Sequence, residues 1–162
     1  MEQFTRRETV ILSRTSPGRL DYLAKTGVVV PICPPDSQNR QSLYSWEQVL
    51  ELRTIRHLRR QVSLQMIRKI LAFLEKSSGD RTLHNKHLII NNGEVDWVQA
   101  DSESKPQVIQ VAAKANRHIG QLKLMTVPAV SDLISDVWET ASQSKVIDFE
   151  SFRKRALHSP FK

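Results

Sequence analysis

The 162-residue chain has a single cysteine, Cys33, which excludes an internal disulfide and fits a reducing compartment. No apolar run approaches the ~20 residues of a membrane-spanning helix. The opening residues include Glu2, Arg6, Arg7 and Glu8 rather than the apolar stretch of a secretory signal, so a cytoplasmic protein is expected. A phosphate loop, a dinucleotide fingerprint and a nucleophile elbow are all missing, so the sequence is not expected to be an enzyme or to carry a cofactor. Internal repeats and low-complexity tracts are missing too. The five histidines, His57, His84, His87, His118 and His158, are scattered. His84 and His87 sit where a strand is expected to begin, which favours a surface role over a shared metal. Cys33 has no partner cysteine, and Asp132, Asp136 and Glu139 are expected to form a solvated acidic face. No metal is expected.

The chain does carry an unevenly placed positive charge. The formal net charge is +7, and residues 1–76 hold 13 Lys and Arg against 7 Asp and Glu. Residues 77–162 hold 11 against 10. Almost all of the basic excess therefore lies in the first half, where it can neutralise phosphates and release counterions.

That half reads as a series of short helices. Ser16 is a good N-cap, because its hydroxyl can accept from the free amides of a first helical turn. Pro17 then stands where a missing N–H costs nothing, and Gly27 ends the helix. Leu20, Leu23 and Ala24 share one face, which leaves Arg19, Tyr22 and Lys25 to point elsewhere. After a proline-rich hairpin, Ser45 and Gln48 match a capping box. The helix they start has Val49, Leu50, Leu52, Ile55 and Leu58 as its apolar stripe and Arg53, Arg56, Arg59 and Arg60 on the other side. Ser63 caps a further helix with Leu64, Ile67, Ile70, Leu71 and Leu74 at helical spacing. Leu20, Leu23, Val49, Leu52, Ile55, Ile67 and Ile70 are the expected core of a unit spanning residues 1–76, with the polar run Lys76–Asp80 as the boundary.

Beyond the boundary the periodicity changes. His87–Ile90 and Val95–Val98 flank Asn91-Asn92-Gly93-Glu94, a strong hairpin signal because type I′ turns need positive φ at both centres. Asp101–Pro106 reads as a polar loop. Val108–Val111 reads as a strand or as the start of a helix through Asn116, and Leu122–Val127 as a strand. Ala129–Ala141 reads as a helix with Val130, Leu133, Ile134, Val137 and Trp138 on one side, and Trp97 and Trp138 are expected to meet in a second core. The fold class is thus mainly α with small β content. A winged helix-turn-helix over 1–76 is followed by a small α+β domain over 80–145 and a basic tail over 146–162.

The first 76 residues resemble the DNA-binding domain of the MerR family of transcriptional regulators. The serine-capped helix with Arg19-Leu20-Asp21-Tyr22-Leu23-Ala24, then Gly27-Val28-Val29-Val30-Pro31, is similar to the family's Thr-Leu-Arg-Tyr-Tyr-Glu and Gly-Leu-Leu-x-Pro pattern. Ser42-Leu43-Tyr44-Ser45 keeps the Tyr-Ser of the wing motif, with Arg40 two places early. Gln61-Val62-Ser63-Leu64-Gln65-Met66-Ile67 matches the second half of a Gly-Phe-Ser-Leu-x-x-Ile turn. The resemblance implies that the Ser16–Gly27 helix enters a DNA groove and that Arg6, Ser16, Arg19, Tyr22, Lys25, Arg40 and Tyr44 make up the DNA-binding set. Two departures stand out. The family arginine that grips phosphate is Asp21, an acid expected to be uncompensated there, and a β-hairpin replaces the family's long dimerising helix.

Two functions follow from these residues. One is a sequence-specific regulator of double-stranded DNA, a homodimer through residues 80–145. The other is a protein-interaction module, an antitoxin or adaptor with weakened DNA binding and a protein partner. Neither involves a membrane.

Overall fold

Why each helix starts where it does is written in its capping residues. The computed structural model describes residues 3–32, 41–91, 94–99, 107–112, 124–126 and 128–157. A two-residue strand β1 (Phe4–Thr5) leads into α1 (Arg6–Ser13), whose N-cap Thr5 and Glu8 form a reciprocal capping box. Helix α2 (Pro17–Lys25) is capped by Ser16, which accepts from the Arg19 amide at 3.4 Å. At the other end of α2, Gly27 takes φ +69° and the Val28 amide donates back to the Leu23 carbonyl, a left-handed close that favours glycine. Strand β2 (Leu43–Tyr44) pairs antiparallel with β1, matching Phe4 to Tyr44 and Thr5 to Leu43. The expected box of Ser45 and Gln48 is present, with both reciprocal bonds made, and starts α3 (Trp46–Leu58). Ser63 accepts from the Met66 amide to cap α4 (Leu64–Ser78), and Gly79 closes it.

The described remainder forms four strands and two helices. Strands β3 (His87–Asn91), β4 (Glu94–Gln99), β5 (Gln107–Ala112) and β6 (Leu124–Thr126) make one antiparallel sheet in the order β5-β4-β3-β6. Helices α5 (Val130–Gln143) and α6 (Phe149–Leu157) follow. The Val108–Val111 segment is therefore a strand. The expected Asn92-Gly93 turn is flanked by the paired Asn91 and Glu94, but its own two residues lie outside the described ones, as do the Asp101–Pro106 loop and residues 113–123.

The chain divides into two compact units, and the division differs from a boundary at 76–80. One unit joins residues 1–56 to 130–162, and the other is 57–129. The expectations that 130–145 belongs to the second domain and that 146–162 is a tail are corrected here. Helix α5 packs on α1 and α6 on α5, and a single core joins Phe4, Leu12, Trp46, Val49 and Leu50 to Leu133, Val137, Ala141, Ile147 and Phe152. The physical reason lies in α3, where all seven residues from Val49 to Ile55 are buried. A helix covered all round needs more partners than α1, α2 and the small β1-β2 sheet supply. Helices α5 and α6 add them.

Arg53 shows the same effect. Expected on the side of α3 opposite its apolar stripe, it is only 4% exposed. Its Nε donates to the Leu12 carbonyl at 2.8 Å, Nη2 to the Thr140 hydroxyl at 2.5 Å, and Nη1 lies 2.8 Å from the Asp136 carboxylate. Burial lowers the Arg53 pKa to about 10, with Asp136 opposing the shift and Arg14 and Arg56 adding to it, so the side chain stays cationic near neutral pH. Asp136 is thus one half of a partly buried ion pair. Trp138 belongs to the first unit and Trp97 to the second, so they do not share the expected core; the Trp138 ring lies 5.2 Å from Phe152 and 6.0 Å from Phe149, centroid to centroid.

Within the second unit, β4 alternates so that Val95 and Trp97 are buried, as are Leu88 and Ile90 on β3. The α4 stripe of Ile67, Ile70, Leu71 and Leu74 is buried as well, and α4 packs on β5. Lys86 pairs with Asp80 at 2.6 Å and lies over the Trp97 ring.

Glu8 ties the start of α1 to the C-terminal helix. Its carboxylate accepts from the Thr5 amide and hydroxyl at 2.9 Å, and from Arg155 Nη2 at 2.6 Å. Burial pushes its pKa up, but Arg155 and Thr5 outweigh that and hold the carboxyl below its ordinary 4.5. A depressed carboxylate stabilises the fold above its unfolded pKa and loses that contribution as pH falls through the folded value. Glu8→Gln keeps the capping box and removes the charge. It is expected to cost about 1–3 kcal/mol at pH 7. The gap from wild type should narrow as urea titrations are taken below pH 4.5; a pH-independent gap would show that the charge is not what matters.

Candidate nucleic-acid interface

Helix α2 has one covered face and one open one. Leu20 and Leu23 are buried, while Gly18, Arg19, Asp21, Tyr22 and Lys25 are exposed. Gly18, Asp21, Tyr22 and Lys25 follow the i, i+3, i+4, i+7 rule and so share one outward stripe, with Arg19 at its edge. Tyr22 is 49% exposed at the middle of that stripe. A methyl group added at Gly18 would meet nothing within 4 Å, so the surface there is open.

The stripe has one member from another helix. Arg6, the first residue of α1, reaches Asp21 with Nε at 3.2 Å and Nη2 at 2.8 Å and 2.9 Å from the two carboxylate oxygens. Nη2 also lies 3.4 Å from the Pro17 carbonyl in the first turn of α2. The two side chains are 42% and 50% exposed, so the pair lies at the surface. Asp21 is therefore not an uncompensated acid. At the position where it replaces a cation, the fold delivers the guanidinium of Arg6.

Residues 5–74 match the family model of the MerR HTH family regulatory protein. The match runs from Thr5, the end of β1, through most of α4, and it leaves the four-stranded sheet and helices α5 and α6 outside. Comparison with curated proteins finds no match. The N-terminal segment is thus a MerR-like helix-turn-helix, of a family of DNA-binding regulators. Helix α2 is its second helix, as the Ser16 cap and Gly27 close led one to expect.

Of the expected contact residues in the MerR-like domain, Ser16 is engaged as the α2 cap, and Arg19, Tyr22 and Lys25 lie open on α2. Arg6 joins them through Asp21. Tyr44 is corrected: it is 1% exposed, paired across the small sheet with Phe4, and burial pushes its phenol pKa up. Its motif position reflects a core role, since a residue so covered has no face to offer DNA. Arg40 and Cys33 lie outside the described residues. Sequence reasoning missed the Arg6–Asp21 pair, which joins residues fifteen positions apart. It also missed the Thr5–Glu8 box, whose Thr-x-x-Glu signal was there to find.

Among the described residues, no group of three or more His, Cys, Asp or Glu is placed to hold a metal ion, and no helix is long and apolar enough to cross a membrane. His84 is buried and His87 exposed.

Proposed function

We propose that this protein is a sequence-specific, double-stranded-DNA-binding transcriptional regulator of the cytoplasm. The observation that carries the reading is the open stripe of α2, with Arg19, Tyr22 and Lys25 exposed in a MerR-like helix-turn-helix. In this reading α2 enters the major groove, Arg19 near its first turn reads a base edge, and Lys25 meets phosphate. Arg40, outside the described residues, adds a further phosphate contact in this reading. A homodimer completes it, since helix-turn-helix dimers bind two half-sites about one helical turn apart.

One observation favours a second reading. The carboxylate of Asp21 on the outward stripe cancels the charge of Arg6, which suits a protein-interaction module, an antitoxin or adaptor, better than a phosphate grip. A fluorescence titration of the full chain with random-sequence duplex over a salt series separates the two. The regulator should show affinity that falls steeply with salt. Lys25→Ala should weaken binding to all sequences alike and flatten the salt slope by about one unit. Arg19→Ala should cost about 1–3 kcal/mol on a preferred site and relax its specificity. Binding that is absent, or insensitive to salt, would give the second reading the lead.

A further inference from the structure

Resting on the regulator reading, we infer that Asp21 is a positioning residue that holds Arg6 edge-on to read a guanine. Among the described residues, the hydrogen bonds of Arg6 run through Nε and Nη2, to the two Asp21 oxygens and the Pro17 carbonyl. Nη1 takes part in none of them. A guanidinium carries five N–H donors in a rigid fork, so with Nε and Nη2 engaged by the carboxylate and the Pro17 carbonyl, Nη1 and its two N–H donors point away from the carboxylate. Those donors fit the O6 and N7 acceptors that guanine presents in the major groove.

Two physical points favour a base over a phosphate as its target. Phosphate attraction depends on net charge, and the Asp21 carboxylate cancels that of Arg6. Base readout depends on donors fixed in place, and the carboxylate supplies that by holding a long side chain that otherwise samples many rotamers. The pair is also in the right place: Asp21 lies on the stripe between Gly18 and Lys25, and the open space at Gly18 leaves that stretch of backbone uncovered. The acid has a second consequence. It repels phosphates at every sequence, so it lowers non-specific affinity and raises the ratio of specific to non-specific binding.

The test is selection of binding sites from a random-sequence duplex library by the full-length chain and its variants, followed by titration of the best duplex and its single-guanine changes. Wild type should prefer guanine at a fixed place in each half-site. Arg6→Ala and Asp21→Ala should each lose that preference by roughly 5- to 150-fold, the discrimination of one good base contact. Arg6→Lys should lose it as well, since it keeps the charge without the fork. Asp21→Ala should bind random duplex more tightly than wild type. In the Arg6→Ala background, Asp21→Ala should remove no further preference, because Asp21 acts on the base only through Arg6. Thermal melts matching wild type would confirm that these surface variants fold. The inference is overturned if Asp21→Ala keeps the guanine preference, or if Arg6→Ala weakens every sequence equally. A wild-type chain that enriches no sequence at all would overturn the regulator reading itself, a different result from either.

Discussion

Phe152→Ala should lower the stability of the full-length chain by about 3–5 kcal/mol, the cost of removing a buried phenylalanine from a packed core. On a tail, the same change would cost within about half a kcal/mol. Phe152 is fully buried and lies at the centre of a ring of aromatics. Its centroid is 6.0 Å from Phe4, 5.9 Å from Trp46, 5.2 Å from Trp138 and 6.0 Å from Phe149. Each such pair adds about 0.5–1.5 kcal/mol beyond burial, and several are lost at once. Of these partners, Trp46 lies in the MerR-like segment and Phe4 directly precedes that segment, so the loss should be felt at the far end of the sequence. Urea unfolding followed by tryptophan fluorescence reads it as a lower midpoint at unchanged slope. A midpoint within error of wild type would show that α6 does not complete the N-terminal core.

The reason this architecture escapes the sequence, when so much else does not, is the difference between local and non-local information. Caps are local: Ser16, Ser45 and Ser63 announce their helices and start them as expected. Apolar spacing is local as well, and all seven expected core residues, Leu20, Leu23, Val49, Leu52, Ile55, Ile67 and Ile70, are buried. An apolar stripe says that a helix will be covered, not by what. The α5 stripe of Leu133 and Val137 suits a second core as well as the first, and only the fold sends it to α1. Phe4, Trp46 and Phe152 likewise carry no mark of belonging together.

The candidate site divides the same way. The Ser16–Gly27 helix and its open residues were legible, because they depend on one cap, one glycine and one face. The family motif misplaced Tyr44 on the DNA surface, since a motif records that a residue recurs and not whether it is covered. Charge alone misplaced Arg53. Asp21 was legible as an acid in place of a cation, yet its meaning depends on Arg6, which reaches it from the first residue of α1.

That misplaced arginine gives the second large expectation. Asp136→Ala should destabilise the chain by an amount at the lower end of the about 3–5 kcal/mol that breaking a buried ion pair costs. The carboxylate is 44% exposed, so water already solvates part of it, but its partner Arg53 is 4% exposed and would be left as a buried cation. The Leu12 carbonyl and the Thr140 hydroxyl would still accept its hydrogen bonds, but neither carries a compensating charge. Nearby Arg14 and Arg56 already disfavour the Arg53 cation, and Asp136 is the group opposing them. Removing the buried charge itself should therefore be the milder change. Arg53→Met keeps the apolar stem and leaves the Leu12 carbonyl without the guanidinium, a loss of about 1–3 kcal/mol. In the double variant Arg53→Met, Asp136→Ala, the second substitution should add almost nothing, because Asp136 no longer has a cation to neutralise. Urea titrations of the three variants check this order. If Asp136→Ala proves milder than Arg53→Met, the buried guanidinium is stabilised by its neutral acceptors, and the ion pair to α5 is dispensable.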